Sequence, residues 1–590
     1  MIYLPFEVEA CTGECRKECG VSLDKCPTYR ELPEVWQKVC QSSPHLLVYL
    51  RSVKKINLGL PEYCEKLNRS MKSAKIRNFI YPVGSEIFIH VLDNLEDIRD
   101  HYVPIEPNLT QNMDGLIDQV EERLTEFVDD LEGIADAAKR IEVIQQIVEK
   151  MVSVRGGNGS RPEKNNGNGH KKNSMVAELL GEKKKDKLVV SPIQYQSLRY
   201  LLRRKLEGMG VLEPMMRDNN IEDISCSGLG NIFVEHRVFG GLRASIGFET
   251  HNELDKFVIE LAERIKHPVT FRDPTVDATL PDGSRINIVY GTDVSKRGSN
   301  FTIRKFSPTP MSIIELIEQG TLNYEMAAYL SLVIQESMNV WVSGETASGK
   351  TTMMNALATF IPPSAKVVSI EDTPEVQVPH HNWIRGVTRE SQKSSAASAV
   401  SMFDLLKAAL RQRPNIIIVG EIRGVEGAIA FQAMQTGHAC MSTFHAATVT
   451  KLIQRLTGNP INVPKSYVDN LNVVITMSAV RLPSGRTGRR ITSVNEIISY
   501  DSISDSFSFI ETFVWNPVDD TFFFRGNMNS YLLEYKLAPK RGLPPDRRRE
   551  IYAEIKKRAK VLQRIKEQGI VNFYEVYALL SKAYREGHFR

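Results

Sequence analysis

The sequence predicts an α/β protein of several domains, whose second half is a largely parallel sheet covered by helices on both faces. Three observations carry this reading. From residue 308 onward, β-prone apolar runs alternate with segments of helical periodicity, the arrangement that gives parallel strands joined by crossover helices. A phosphate-loop pattern follows the first of these runs. A stretch rich in glycine, asparagine and lysine, residues 151–188, separates this half from an earlier region. At 590 residues with 42% hydrophobic content, the chain can bury several cores. No run of about 18 or more apolar residues is present, and MIYLPFEVEACTGEC has no basic flank followed by a hydrophobic stretch. The expectation is a cytoplasmic protein without a membrane span or signal peptide. Lys and Arg number 75 against 71 Asp and Glu, and the net +4 gives no general argument for nucleic acid as a partner.

The first 150 residues open with a cysteine cluster. Cys11, Cys15, Cys19 and Cys26 are separated by three, three and six residues. Such spacing suits zinc or an iron–sulfur cluster, with reduced, unliganded thiols as the alternative. Structural disulfides do not fit a reducing compartment. Leu116, Val120, Leu124, Leu131 and Ile134 recur at helical intervals among acidic residues, which predicts one or two amphipathic helices over about residues 111–152. This region is expected to be a docking domain.

Residues 151–188 read as a flexible, solvated linker with little to bury. Residues 189–307 then predict a small α/β domain: a helix over SPIQYQSLRYLLRRKLEGMGVLEPMM, strands within ISCSGLGNIFVEHRVFGGLRASIGF, the amphipathic helix ELDKFVIELAERIKH, and strands in ATLPDGSRINIVYG and SNFTIRKFS. From 308 to 535 the expected strands are NVWVSG, AKVVSIED, NIIIVGEI, CMSTFHA and NVVITMSAV, each separated by a helix. Beyond about Ser504 the pattern becomes irregular. Residues 536–590 are expected to form a charged helical extension carrying Ile551, Ile555, Leu562 and Ile565 on one side.

The chemistry is expected at the carboxyl ends of the parallel strands. Gly344 to Thr351, GETASGKT, places a glycine, four residues, then glycine, lysine and threonine between a strand and a helix. Gly344, Thr346, Ser348, Gly349, Lys350, Thr351 and Thr352 are the candidate nucleotide-binding residues. Backbone N–H groups would cradle the phosphates, Lys350 would neutralise their charge, and the Thr351 hydroxyl would bind Mg²⁺. Glu421, ending the apolar run IIIVGEI, could hold Mg²⁺ through water or orient the attacking water. Glu371, ending VVSIE, is a candidate water-activating group. No Asn-Lys-x-Asp guanine-reading motif follows, so ATP is the expected nucleotide.

GETASGKTT, VSIEDTPE, LRQRPNIIIVGEIRG and QAMQTGHACMSTFHA, in this order, resemble the four nucleotide boxes of the type II/type IV secretion superfamily ATPases. LPDGSRIN and FTIRKF resemble the second N-terminal domain of that superfamily. The archaeal branch, with its archaellum motor and type IV pilus assembly ATPases, is especially similar. The resemblance covers roughly residues 190 to 535. It implies a RecA-like ATPase domain preceded by a small PAS-like α/β domain and a further N-terminal region. It also implies a homohexamer that uses ATP and Mg²⁺, works with a polytopic membrane platform protein and filament accessory proteins, and sits peripherally at the inner face of the membrane. Arg285 and Arg304 match the positions from which the family brings arginines to the phosphates, and His438 and His445 match its histidine box. The two histidines flank CMSTF and are read as phosphate-state sensors, a buried structural histidine being the alternative. A ring ATPase that translocates nucleic acid, or a secretion or DNA-uptake ATPase of the same superfamily, is the alternative function.

Overall fold

A computed structural model of the chain describes residues 26–55, 59–68, 71, 74, 76–93, 98–109, 113–127, 137–154, 187–306, 309–389, 399–587 and 589. The chain divides into two units, Met1–Phe306 and Ser307–Arg590. The cysteines at 11, 15 and 19, and most of the expected linker, residues 155–186, lie outside the described residues.

The first unit is organised by one sheet. Its strands are β1 (Glu62–Tyr63), β2 (Asn78–Val83), β3 (Ile87–Leu92), β4 (His101–Ile105), β7 (Ile221–Cys226), β8 (Gly230–His236), β9 (Gly240–Phe248), β10 (Thr275–Thr279), β11 (Arg285–Val289) and β12 (Asn300–Arg304). A separate parallel pair is formed by β5 (Val152–Val154) and β6 (Leu188–Val190). The sheet order is β1-β2-β3-β4-β9-β8-β7-β12-β11-β10. The parallel pairing of β4 with β9, His101 opposite Arg243, joins the region before residue 150 to the region after 189. Two tyrosines reinforce this join: Tyr81 on β2 and Tyr102 on β4 donate to Asp218 Oδ2 at 2.6 and 3.1 Å. The expected separation into an N-terminal docking domain and a second α/β domain therefore gives way to one sheet and a shared core. That core includes Tyr81, Tyr102, Val148, Leu198, Leu242 and Ile303.

Alternation decides the faces. In β11 and β12, Ile286, Ile288, Phe301 and Ile303 are buried while Asn287, Thr302 and Arg304 face solvent. The buried face is covered in part by the helix His251–Arg264, which presents Leu254, Val258, Leu261 and Ala262 at helical spacing. Its first turn is capped by Thr250, whose hydroxyl accepts from the Glu253 N–H. The opposite face of β7, β8, β11 and β12 stays polar, and this later positions two arginines.

The second unit contains β13 (Val340–Gly344), β14 (Val367–Glu371), β15 (Trp383–Val387), β16 (Ile416–Val419), β17 (Ala439–Phe444), β18 (Val473–Arg481), β19 (Thr487–Asp501), β20 (Ser506–Asn516) and β21 (Thr521–Phe524). They lie in the order β15-β14-β16-β17-β13-β18-β19-β20-β21. The first six are parallel, and β16 (IIIV) is buried throughout, as a strand covered on both faces must be. The last three form an antiparallel meander, of which β20 and β21 fall beyond Ser504, where the sequence pattern is irregular.

One face of this sheet packs on the helices Tyr324–Gln335, Lys350–Ala358, Ile551–Glu567 and Phe573–Arg585. The other packs on Met402–Arg411, Glu426–Gln435 and Val449–Thr457. Ile551, Ile555, Leu562 and Ile565 all lie in the first of these cores. Residues 536–590 therefore complete the core rather than extend from it. Full burial of one such side chain stabilises by roughly 1.5–3 kcal/mol.

Candidate active site

The parallel strands end together on one edge of the second unit, and the predicted motifs emerge there. Strand β13 is wholly buried and delivers the chain into the phosphate loop at Gly344. A Cβ on Gly344 would stand 2.4 Å from the Met477 carbonyl oxygen and 2.6 Å from Ser348 Oγ, so only glycine fits. The loop turns through Ala347 at φ 62° and Gly349 at φ 93°, both left-handed. The helix Lys350–Ala358 then starts with no side-chain cap, leaving its first N–H groups directed at the loop. Glu345, Thr346 and Ala347 are exposed at the apex, while Ser348 and Lys350 are buried and Thr351 and Thr352 half-buried. Ser348 Oγ and Lys350 Nζ both donate to the Glu345 carbonyl, at 2.8 and 2.9 Å. Burial lowers the Lys350 pKa, opposed by the Glu421 carboxylate.

Glu421 follows β16 and meets two groups. Arg423 Nη2 donates to its Oε2 at 2.5 Å. His445 Nε2 lies 3.0 Å from its Oε1, yet that buried oxygen has no hydrogen-bond partner in line with it. The His445 pKa is lowered by burial first and by the Lys350 ammonium second, so neutral imidazole is favoured beside the loop. Lys350, Glu421, Arg423, His445 and Glu375 thus form one electrostatic cluster.

Two sequence expectations change here. Glu371 is buried at the end of β14, and its Oε1 accepts from the Glu375 and Val376 N–H groups at 2.8 and 2.6 Å. It organises the turn that follows the strand and is not presented to attacking water. Burial pushes its pKa up to about 7 against those stabilising bonds. Glu375, which sequence reasoning passed over, is the acid of EDTPE that interacts with Lys350 and Arg423. His438 is the second correction. It precedes β17 whereas His445 follows it, and seven extended steps separate the two by about 20 Å or more. The His438 Nδ1 is 3.1 Å from Thr436 Oγ1, and the residue lines a cavity of about 250 Å³ with Asn339, Asp469, Asn472 and Lys536, at the amino ends of the strands. It cannot sense a phosphate held by the loop.

On the first unit, Arg285 and Arg304 are direct cross-strand partners on the polar face. Arg304 Nε is 3.2 Å from Asp223 Oδ1. Both arginines line a cavity of about 710 Å³ together with Arg99, Asp223, Asp277 and Asn287. The sequence signals LPDGSRIN and FTIRKF therefore converge in space.

The residues fit a Mg²⁺–ATP complex. Open N–H groups, a buried lysine, the Thr351 hydroxyl beginning the helix and an unpartnered carboxylate oxygen on Glu421 supply the donor set such a ligand needs. Thr351 and Glu421 would hold the ion, and bound Mg²⁺ supplies neutralisation of phosphate charge. Lys350 would meet the phosphates, and the Glu421 Oε1, with His445 Nε2 3.0 Å away, would be free to take a water.

The zinc or iron–sulfur expectation finds no site among the described residues, where no group of three or more His, Cys, Asp or Glu could hold a metal. Cys26 is buried and free, as is Cys40, whose thiol burial and Cys26 push up to about 12, away from the thiolate form a metal needs. Nor is any helix among the described residues long and apolar enough to cross a membrane.

The model of the Type II/IV secretion system protein family matches residues 205–496. An uncharacterized protein of Methanocaldococcus jannaschii is 40% identical over 560 residues, spanning 93% of this chain and 97% of that one. The type IV secretion system protein PtlH of Bordetella pertussis is 31% identical over 271 residues, 42% of this chain and 78% of its own length. Among solved structures, the ATPase DotB of Legionella pneumophila aligns over 62% of this chain and 92% of that chain, with 17% identity and a TM-score of 0.37. With the matched region holding the phosphate loop, Glu421 and His445, the chain belongs to the Type II/IV secretion system protein family and is an ATPase.

Proposed function

We propose that this ATPase is the hexameric motor of an archaeal type IV pilus-like filament, an archaellum or a pilus. It works from the cytoplasmic face of the membrane through a polytopic platform protein and filament accessory proteins. The observation that carries this reading is the end-to-end match with the Methanocaldococcus jannaschii protein, 93% of one chain against 97% of the other. That match extends well beyond the region shared with bacterial secretion proteins and goes with the archaeal-type boxes LPDGSRIN, GETASGKTT and EDTPE. In this reading Lys350 and Glu421 act on the nucleotide, His445 reports the phosphate state through Glu421, and Arg285 and Arg304 are the arginines brought to the phosphates during the cycle. Arginine suits that task because its planar fork stabilises the charge of a transferring phosphoryl group.

Two measurements test it. Purified protein should form hexamers with Mg²⁺-dependent ATP hydrolysis that Lys350→Ala abolishes and Arg285→Ala strongly reduces. In the native organism, loss of the gene should remove one class of surface filament. Intact filaments together with DNA-stimulated, steeply salt-dependent hydrolysis would replace this reading with that of a nucleic-acid motor.

A further inference from the structure

The phosphate loop contains one residue in a conformation its side chain disfavours. Ala347 has φ 62°, and for alanine the left-handed region is populated roughly tenfold less than the right-handed one. Something must hold it there. Ser348 and Lys350 tie the loop inward through the Glu345 carbonyl, and neither bonds Ala347.

Arg489 does. Its Nε donates to the Ala347 carbonyl at 3.0 Å, across 142 residues of sequence. The same side chain lies along the loop, since a Cβ added to Gly349 would come within 3.3 Å of Arg489 Cδ. Topology explains the reach. Strand β18 runs beside β13 as far as Gly344, paired with Met477. It continues to Arg481, and β19 returns with Arg489 opposite Ala479. The start of the antiparallel meander is thereby laid against the loop.

The adjacent arginine has a different task. Arg490 is buried, bonded through Nε and Nη2 to Asp520 at 2.7 Å and through Nη1 to the Gln319 carbonyl at 3.0 Å. Those bonds anchor the hairpin, which in turn fixes where Arg489 can stand.

We propose that Arg489 is a positioning residue of the phosphate loop, holding Ala347 left-handed so that the loop is preformed for the nucleotide. The inference rests on the loop binding ATP. Without Arg489, Ala347 relaxes into its commoner conformations and only a fraction of molecules are competent to bind. The apparent dissociation constant rises by the inverse of that fraction.

The test uses the full-length protein with a fluorescent ADP analogue, ATPase kinetics and thermal melts. Arg489→Ala should raise the dissociation constant and KM by about tenfold, with kcat at saturation within about twofold. Arg489→Lys, which keeps a donor in reach, should recover part of the loss. The decisive variant is Arg489→Ala with Ala347→Gly, compared with Ala347→Gly alone. Glycine adopts the left-handed region freely, so in that background removing Arg489 should change affinity by no more than about twofold. Wild-type affinity in Arg489→Ala would overturn the proposal. So would a tenfold loss that persists on the glycine background, because Arg489 would then act on the nucleotide by its charge. If the unaltered chain fails to bind ADP, the nucleotide reading of the loop falls and takes the inference with it.

Discussion

Replacing Glu371 by glutamine should stabilise the second unit, and only at neutral to alkaline pH. The carboxyl is buried at the strand end, and its pKa rises from 4.5 to about 7. The sign follows from linkage. Below the unfolded value both states are protonated and the group carries no penalty. Between 4.5 and about 7 the unfolded chain ionises first, so stability falls as pH rises and the penalty reaches its full size above the folded value. The full penalty is about 3 kcal/mol. Glutamine keeps an oxygen for the Glu375 and Val376 N–H groups and carries no charge to desolvate. Urea unfolding of the two proteins should give equal midpoints near about pH 4.5 and a gain of roughly 1–3 kcal/mol for the variant near about pH 8.5. Parallel stability profiles over that range would show that the buried carboxyl is not held protonated and would refute the argument.

Glu421→Gln should lower kcat on the order of 100-fold or more while ADP affinity stays within a few-fold, since the lost group acts on water rather than on the nucleotide; equal losses in both would return Glu421 to a binding role. His445→Asn should cost about tenfold or more in kcat and His438→Asn less than about twofold. The reverse order would contradict the placement of these residues at opposite ends of β17. Asp218→Ala removes the acceptor of two tyrosine hydroxyls, leaving buried donors unsatisfied, and should destabilise the first unit by about 1–3 kcal/mol. An unchanged denaturation midpoint for that unit would show that its two halves are held together by the sheet alone.

The alternation of strands and helices from Val340 to Arg481 is legible in the sequence wherever an element meets a simple pattern, a short apolar strand or a helix with one apolar stripe, and the edge strand Trp383–Val387, which no apolar run marks, escapes it. The meander is not legible either. Its pairing shifts register at Thr476/Met477, Val494/Asn495 and Ile497/Ser499, and each bulge breaks the two-residue period by which a strand is recognised. The union of the first unit was hidden for another reason. The pairing of His101 with Arg243 leaves no local trace in either segment. At the site, motif order points to Lys350, Glu421 and His445, which the structure brings together. It misjudged Glu371, because whether an acid at a strand end faces solvent or its own following turn depends on the backbone after it. It gave His438 the same task as His445, although residues flanking one strand stand at its opposite ends and only one of them is at the carboxyl edge. Arg489 carries no motif, and only the return of β19 past the loop gives it a role.

The pairing of β5 with β6 changes the meaning of the asparagine- and lysine-rich insert. Val152 lies opposite Leu188 and Val154 opposite Val190, so the described residues before 155 and after 186 are paired neighbours in one folded body. That pairing holds the described residues on either side together, and doubling the number of residues between two such joined points costs only about 0.6 kcal/mol in closure entropy. The segment is thus a natural place for the gene to gain or lose sequence in evolution. An affinity tag, a fluorescent protein or a protease site placed there should leave a nicked or enlarged chain that still folds as one piece.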